Sequence, residues 1–184
     1  MPAKFSQSDK VDLRSVEEPM LDEIRRRQNE DCRLEISDML DFHTPWAPMS
    51  LAQVKAKIEE MGKEPRNIVS ALMSKDGKFV GLGSYSASWD TWSPGAGFVI
   101  WPEFRGKGYG KETARLLMRE CFKRSHAHTM SCYANDWDKA SISFIESLGF
   151  KKAGAMRRVG VRDGKFFDGL MFDMLRSEYF RRHA

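Results

Sequence analysis

The feature that most restricts how this chain can fold is the hexapeptide Arg105-Gly-Lys-Gly-Tyr-Gly110, set between an apolar, β-prone run and a helix-forming run. Its closely spaced glycines let the backbone take positive φ and curl, so that several N–H groups point one way. The run behind it places Ala114, Leu117, Met118, Cys121 and Phe122 at i, i+3, i+4, i+7 and i+8, the stripe of an amphipathic helix that must pack on a sheet. Strand, glycine turn and sheet-packed helix in succession require an α/β architecture. The same turn is an anion cradle. Its amides and the helix dipole supply partial positive charge, and Arg105, Lys107 and Lys111 supply full charges, so a diphosphate suits it.

Elements of both periods surround that unit. Lys10 to Ser15 alternates like a short strand, and two helical stretches follow, the second with Cys32, Ile36, Met39 and Leu40 on one face. After a loop rich in His, Pro and Trp from Asp41 to Met49, Ser50 reads as the N-cap of a helix striped by Leu51, Val54, Ile58 and Met61 and closed by Gly62. Ile68 to Met73 and Lys78 to Tyr85 are strands around the turn Ser74-Lys-Asp-Gly77, and Gly97 to Trp101 is a third. Thr129 to Ala134 is the next strand. A helix then carries Ser141, Phe144, Ile145 and Leu148 on one stripe and ends at Gly149, and two long strands flank Arg162-Asp-Gly164. The pattern predicts a mixed α/β domain with helices on the faces of a central sheet. No repeat or linker breaks it, so one domain is expected over residues 1–184.

Composition narrows the class further. With 41% apolar and 30% charged residues among 184, the chain is long enough to bury a core without disulfides or structural metal. Its longest apolar runs fall far short of the roughly 18 residues a spanning helix needs, and no apolar leader follows Met1, so no membrane association is expected. Cys32, Cys121 and Cys132 are odd in number and widely spaced, which points to a reducing compartment, the cytoplasm. A net charge of +4 suits an anionic ligand as well as nucleic acid and decides neither.

The phosphate ligand is narrowed by two failures. A Walker A loop requires Gly where Arg105 stands, and Ser or Thr where Glu112 follows Lys111. The dinucleotide fingerprint would need a third Gly at Lys111. The spacing Arg105-x-x-Gly108-x-Gly110 after Phe98-Val-Ile-Trp-Pro-Glu103 instead resembles the pyrophosphate loop of the GNAT superfamily of acetyl-CoA-dependent N-acetyltransferases. Downstream, Asn135, Ala140-Ser141 and Leu148-Gly-Phe150 resemble the second motif of its ribosomal-protein N-terminal acetyltransferase branch, RimJ/RimL-like. Gly164-Lys-Phe-Phe-Asp168 and Leu175-Arg-Ser-Glu-Tyr179 resemble that branch's closing strand and tail.

The resemblance implies a mixed central sheet of about six to seven strands flanked by helices, with splayed parallel strands forming the cofactor cleft. It implies transfer of an acetyl group from acetyl-CoA to a primary amine, by direct attack in a ternary complex. A protein N-terminus, a polyamine and other small amines all present that nucleophile. Phe98, Val99 and Ile100 would pair with the pantetheine arm. Arg105, Gly106, Lys107, Gly108, Tyr109, Gly110 and Lys111 would hold the pyrophosphate, and Asn135 would bond the pantetheine from the other side. Ser141 would contact the cofactor and stabilise or protonate the departing thiolate.

Two departures matter. The tyrosine many relatives carry four residues after Ser141 is Ile145 here, and Ser93-Pro-Gly95-Ala-Gly97 offers no carboxylate where a base often stands. An alkyl ammonium must lose a proton before attack, and Asp90, His43 and Asp168 are the remaining base candidates, with Asp90 named first. Trp46, Trp89, Trp92, Trp101 and Tyr85 could border the acceptor or fill the core. Cys121, His126, His128 and Cys132 are donor types for zinc, but Cys121 falls on the buried helix stripe, so no metal is expected. The competing class is a non-catalytic acyl-CoA-binding sensor or interaction domain. A nucleic-acid module lacks any recognised signature, and a homodimer is compatible with everything read so far.

Overall fold

The computed structural model describes residues 4–30, 32, 47–63, 67–86 and 93–183. The chain forms two compact units, residues 1–86 with 97–120 and residues 87–96 with 121–184.

In the first unit, β1 (Lys4–Gln7), β2 (Val11–Ser15), β3 (Asn67–Ser74) and β4 (Phe79–Ser86) pair antiparallel in that order. The later part of β5 (Gly95–Ile100) lies beside β4. The β3–β4 turn forms because Gly77 accepts φ +83° while its N–H donates to the Ser74 carbonyl at 3.0 Å. Val11 and Leu13 are buried, and so is Asp12 between them, which faces the opposite way. That carboxylate is tied to Lys75 at 2.6 Å, Arg14 at 3.0 Å and Lys4 at 3.2 Å.

Helices α1 (Leu21–Asn29) and α2 (Leu51–Lys63) supply Leu21, Ile24 and Val54 to a core with Cys32, Leu82, Val99 and Trp101. Ser50 caps α2 reciprocally: Gln53 N–H donates to Ser50 Oγ at 3.2 Å and Ser50 N–H to Gln53 Oε1 at 2.8 Å. The helix continues one residue beyond Gly62, and its expected stripe is only partly inside, with Val54 buried and Leu51 45% exposed. Trp101 is fully buried, edge-on to Phe79 at 5.4 Å and under the Arg27 guanidinium at 5.5 Å. It is a core residue.

Helix α3 (Tyr109–Arg124) buries Ala114, Leu117, Met118, Cys121 and Phe122, the stripe predicted for it. Its last turn belongs to the second unit, where Phe122 stacks on Tyr179 at 4.8 Å. There β6 (Thr129–Asn135) pairs antiparallel with β8 (Lys165–Leu175), and β8 with β7 (Lys151–Arg162). The start of β5 pairs parallel with β6 through Gly95 opposite Ser131. Helix α4 (Lys139–Leu148) ends on Gly149 at φ +99°, and α5 (Arg176–Arg182) follows β8. Asp163 and Gly164 both have positive φ, +49° and +73°, as a two-residue type I′ hairpin turn requires. The result is the mixed α/β fold the sequence predicts, with eight strands among the described residues instead of six to seven; the additional one is β1.

Candidate functional site

The glycine turn is built outward from β5. Trp101 N–H donates to the Val80 carbonyl at 2.9 Å, and a 3₁₀ turn at Pro102–Phe104 reverses the chain. Gly106 and Gly108 then take φ +73° and +85°. The Gly108 carbonyl accepts the Glu112 N–H at 3.2 Å, the opening helical bond of α3, so the N–H groups of residues 108–111 have no partner within the helix. A Cβ on Gly106 would meet nothing within 4 Å, and one on Gly110 would sit 3.4 Å from Phe98 Cε2 and 3.9 Å from Ile100 Cγ1. The helix start therefore rests on the side chains of β5, with open space at the turn's outer glycine. A diphosphate needs unpaired N–H groups beside positive charge, and this turn supplies both.

The charges are arranged differently from the sequence expectation. Arg105 Nε donates to the Ile100 carbonyl at 2.9 Å, pinning the turn to the end of β5. Lys107 Nζ donates to the Glu103 carbonyl at 2.8 Å and lies 5.6 Å from the Phe104 ring centre, while Tyr109 meets the same ring edge-on at 6.1 Å. Arg105 and Lys107 thus shape the loop as well as charge it, whereas Lys111 is exposed. A further cation, Lys10, reaches the loop from the β1–β2 turn and donates from Nζ to the Lys107 carbonyl at 3.2 Å. No local signal could have announced it, because 97 residues separate the pair.

In the second unit, Asn135 ends β6 opposite Gly169, and its carbonyl accepts the Asp138 N–H at 3.0 Å. Asp138 caps α4: Oδ1 accepts the Ser141 N–H at 3.0 Å and Oδ2 accepts the Ser141 hydroxyl at 2.6 Å. The Ser141 hydroxyl, which the resemblance assigns to the departing thiolate, here gives its proton to a carboxylate, and the Asp-x-x-Ser spacing is the signal that could have shown this cap. Ile145 is buried at 8% exposure, and Gly95 is half-buried in its pairing with β6. Asp168 accepts the Arg158 N–H at 2.8 Å and so holds a β7 irregularity where Arg158 takes φ +53°. Tyr85 lies half-buried on β4 in the first unit. His43, Asp90, Trp46, Trp89 and Trp92 lie outside the described residues.

Burial pushes the Cys132 thiol up to about 12, and the neighbouring Asp173 carboxylate adds to the shift. Cys121 is buried with Sγ 3.9 Å from the Thr129 carbonyl. Among the described residues no group of three or more His, Cys, Asp or Glu is placed to hold a metal ion. Nor is any described helix long and apolar enough to cross a membrane.

The model of the acetyltransferase (GNAT) domain family matches residues 12–151. A curated relative, the SPbeta prophage-derived uncharacterized N-acetyltransferase YokL of Bacillus subtilis (strain 168), is 29% identical over 86 residues, 47% of this chain and 49% of that protein. The chain thus spans about half the length of the curated relative it matches. Similar solved structures include the spermidine N-acetyltransferase from Vibrio cholerae in complex with CoA and spermine, with TM-score 0.80, 18% identity, and coverage of 95% of this chain and 99% of that one. Another is an acetyltransferase (GNAT family) from Bacillus anthracis, with TM-score 0.74, 16% identity, and coverage of 94% and 98%. At these identities the two structures speak for the fold alone.

Proposed function

The chain belongs to the acetyltransferase (GNAT) domain family, and from that premise we propose that it transfers an acetyl group from acetyl-CoA to a primary amine by direct attack. The observation that carries this reading is the turn at residues 105–110, with positive φ at Gly106 and Gly108 directly before the start of α3. Acetyl-CoA supplies an activated acyl thioester. The N–H groups at the start of α3 bind its pyrophosphate, Arg105 keeps the turn in register with β5, and Lys111 adds charge. Phe98, Val99 and Ile100 bond the pantetheine arm through their backbone. From the second unit, Asn135 is carried forward by its motif position as a pantetheine partner, and Ser141 as the hydroxyl for the leaving thiolate. Asp90 keeps its place as the proposed base.

The RimJ/RimL-like resemblance of residues 135–150 and 164–179 supports peptide N-termini as acceptors. The spermidine acetyltransferases among the fold's neighbours add polyamines to the panel. The second reading, an acyl-CoA-binding domain without turnover, is favoured by the buried Ile145 and the side-chain-free Gly95 at the two positions where relatives place chemical groups.

Two measurements test these readings. Acetyl-CoA should raise the melting temperature while NADH and ATP do so far less, and an unchanged melting temperature at saturating acetyl-CoA rejects the cofactor assignment. Thiol release is then followed with N-terminal peptides, spermidine and aminoglycosides in parallel. Binding without release on any acceptor replaces the enzyme by the sensor.

A further inference from the structure

The peptide joining Lys107 to Gly108 could take either of two orientations, and Lys10 bonds its carbonyl in the one observed. In the trans peptide joining Lys107 to Gly108, the Lys107 carbonyl and the Gly108 N–H point in opposite directions. A half-turn of that plane changes chiefly ψ of Lys107 and φ of Gly108, and glycine takes negative φ about as readily as positive. The local sequence therefore leaves the plane undecided. In the structure Gly108 stands at φ +85° and the Lys107 carbonyl accepts the Lys10 ammonium at 3.2 Å. Flipping the plane would carry that oxygen away from its donor.

Lys10 works from a braced position. Ser8 Oγ accepts the N–H groups of Lys10 at 3.3 Å and Val11 at 3.1 Å, which shapes the β1–β2 turn. That hairpin is fastened to α3 by Arg119, which donates to Ser6 Oγ at 2.6 Å and to the Gln7 carbonyl at 2.8 Å. All of these residues lie in the same unit as the glycine turn.

We propose that Lys10 is a positioning residue of the anion cradle: by holding the Lys107 carbonyl it aims the Gly108 N–H away from itself and fixes the turn in its phosphate-binding form. The inference rests on the acetyl-CoA reading above for the identity of the ligand. The orientation of the peptide itself does not depend on that reading.

The test compares Lys10→Met and Lys10→Arg with the unaltered protein, by calorimetric titration and by the Gly108 amide resonance of the ligand-free protein. Lys10 is exposed, so neither change disturbs the core. Lys10→Met should raise Kd about tenfold for acetyl-CoA and equally for dephospho-CoA, as loss of one charge-assisted hydrogen bond predicts. It should leave Kd for pantetheine unchanged, and move or split the Gly108 resonance. Lys10→Arg can still donate to the carbonyl and should restore most of the affinity. An unmoved Gly108 resonance in Lys10→Met overturns the proposal, and so does a loss that disappears with dephospho-CoA, which would mark direct pairing with the 3′-phosphate. If the unaltered protein binds none of these ligands, the functional reading fails instead, and the ligand-free Gly108 resonance still decides what Lys10 does.

Discussion

Gly108 stands at φ +85°, where an L-residue is strained and a β-branched one more so, and a Cβ there would lie 3.1 Å from Lys10 Nζ. Gly108→Val should therefore keep the fold, since the residue is exposed, yet lose acetyl-CoA binding by 100-fold or more in calorimetric titration. Gly106→Ala is the control: its Cβ enters open space at φ +73°, so it should cost about 1 kcal/mol in denaturant unfolding and keep most of the affinity. Equal binding by Gly108→Val would make the loop an ordinary turn. Ser141 calls for a subtler expectation. Its one proton is donated to Asp138 Oδ2 at 2.6 Å, so service to a thiolate requires exchanging a charge-assisted bond for another. General-acid help of about 10²-fold or more is thereby reduced, and Ser141→Ala should lower kcat about tenfold with KM for acetyl-CoA unchanged. Full kcat in the variant removes Ser141 from the chemistry. The glycine turn was legible because glycine spacing acts locally. The Asp138 cap was hidden behind a stripe reading that placed Ser141 by helical period alone, and Lys10 behind its distance in sequence.

Elements with a dominant local signal were read from sequence almost as they stand. The α3 stripe is buried as predicted, and Asp163-Gly164 makes the hairpin turn its residue types favour. Strand β1 escaped for a physical reason: its aromatic residue, Phe5, is 41% exposed, and its buried residue is Ser6, kept inside by the Arg119 guanidinium. A hydrophobicity pattern inverted in this way carries no strand signature. The same edge of the sheet holds a titratable tie. Asp12 on β2 gathers Lys4 from β1, Arg14 from its own strand and Lys75 from the β3–β4 turn. Burial alone would raise its carboxyl, but the three cationic hydrogen bonds outweigh that and hold it down to about 2. A depressed folded value means stability that is present above the unfolded value of about 4 and lost as pH falls through about 2. The side chain is 5% exposed, so the contribution is about 2 kcal/mol. Denaturant unfolding of the wild type should weaken by about that amount between pH 4 and 2 relative to Asp12→Asn. The variant, left with three unneutralised cations around one amide, should be about 3 kcal/mol less stable at pH 7. An identical pH slope in the two proteins would remove Asp12 from the acid transition.

At the scale of the whole molecule, the question is whether the two compact units unfold together, as one domain over residues 1–184 requires. The chain passes between them inside secondary structure: β5 (Gly95–Ile100) and α3 (Tyr109–Arg124) each begin in one unit and end in the other. Independent unfolding would have to end a strand and a helix in mid-element, exposing backbone groups that the element otherwise pairs. A helix shortened to the four residues 121–124 would not hold on its own, and Phe122, which stacks on Tyr179, would lose its anchor. Calorimetry should accordingly show one transition with van't Hoff and calorimetric enthalpies in agreement. The ligand sharpens the test, because the cradle lies wholly in the first unit. Acetyl-CoA at 100 times its Kd adds about 2.7 kcal/mol to whatever unfolds with its site, which for a chain of this length moves the melting temperature by about 5–10 °C. If the units are one cooperative body, the single peak moves as a whole. A scan that divides on adding acetyl-CoA, with one peak displaced and one left in place, would show two domains and would confine the cofactor's stabilisation to the unit that carries the glycine turn.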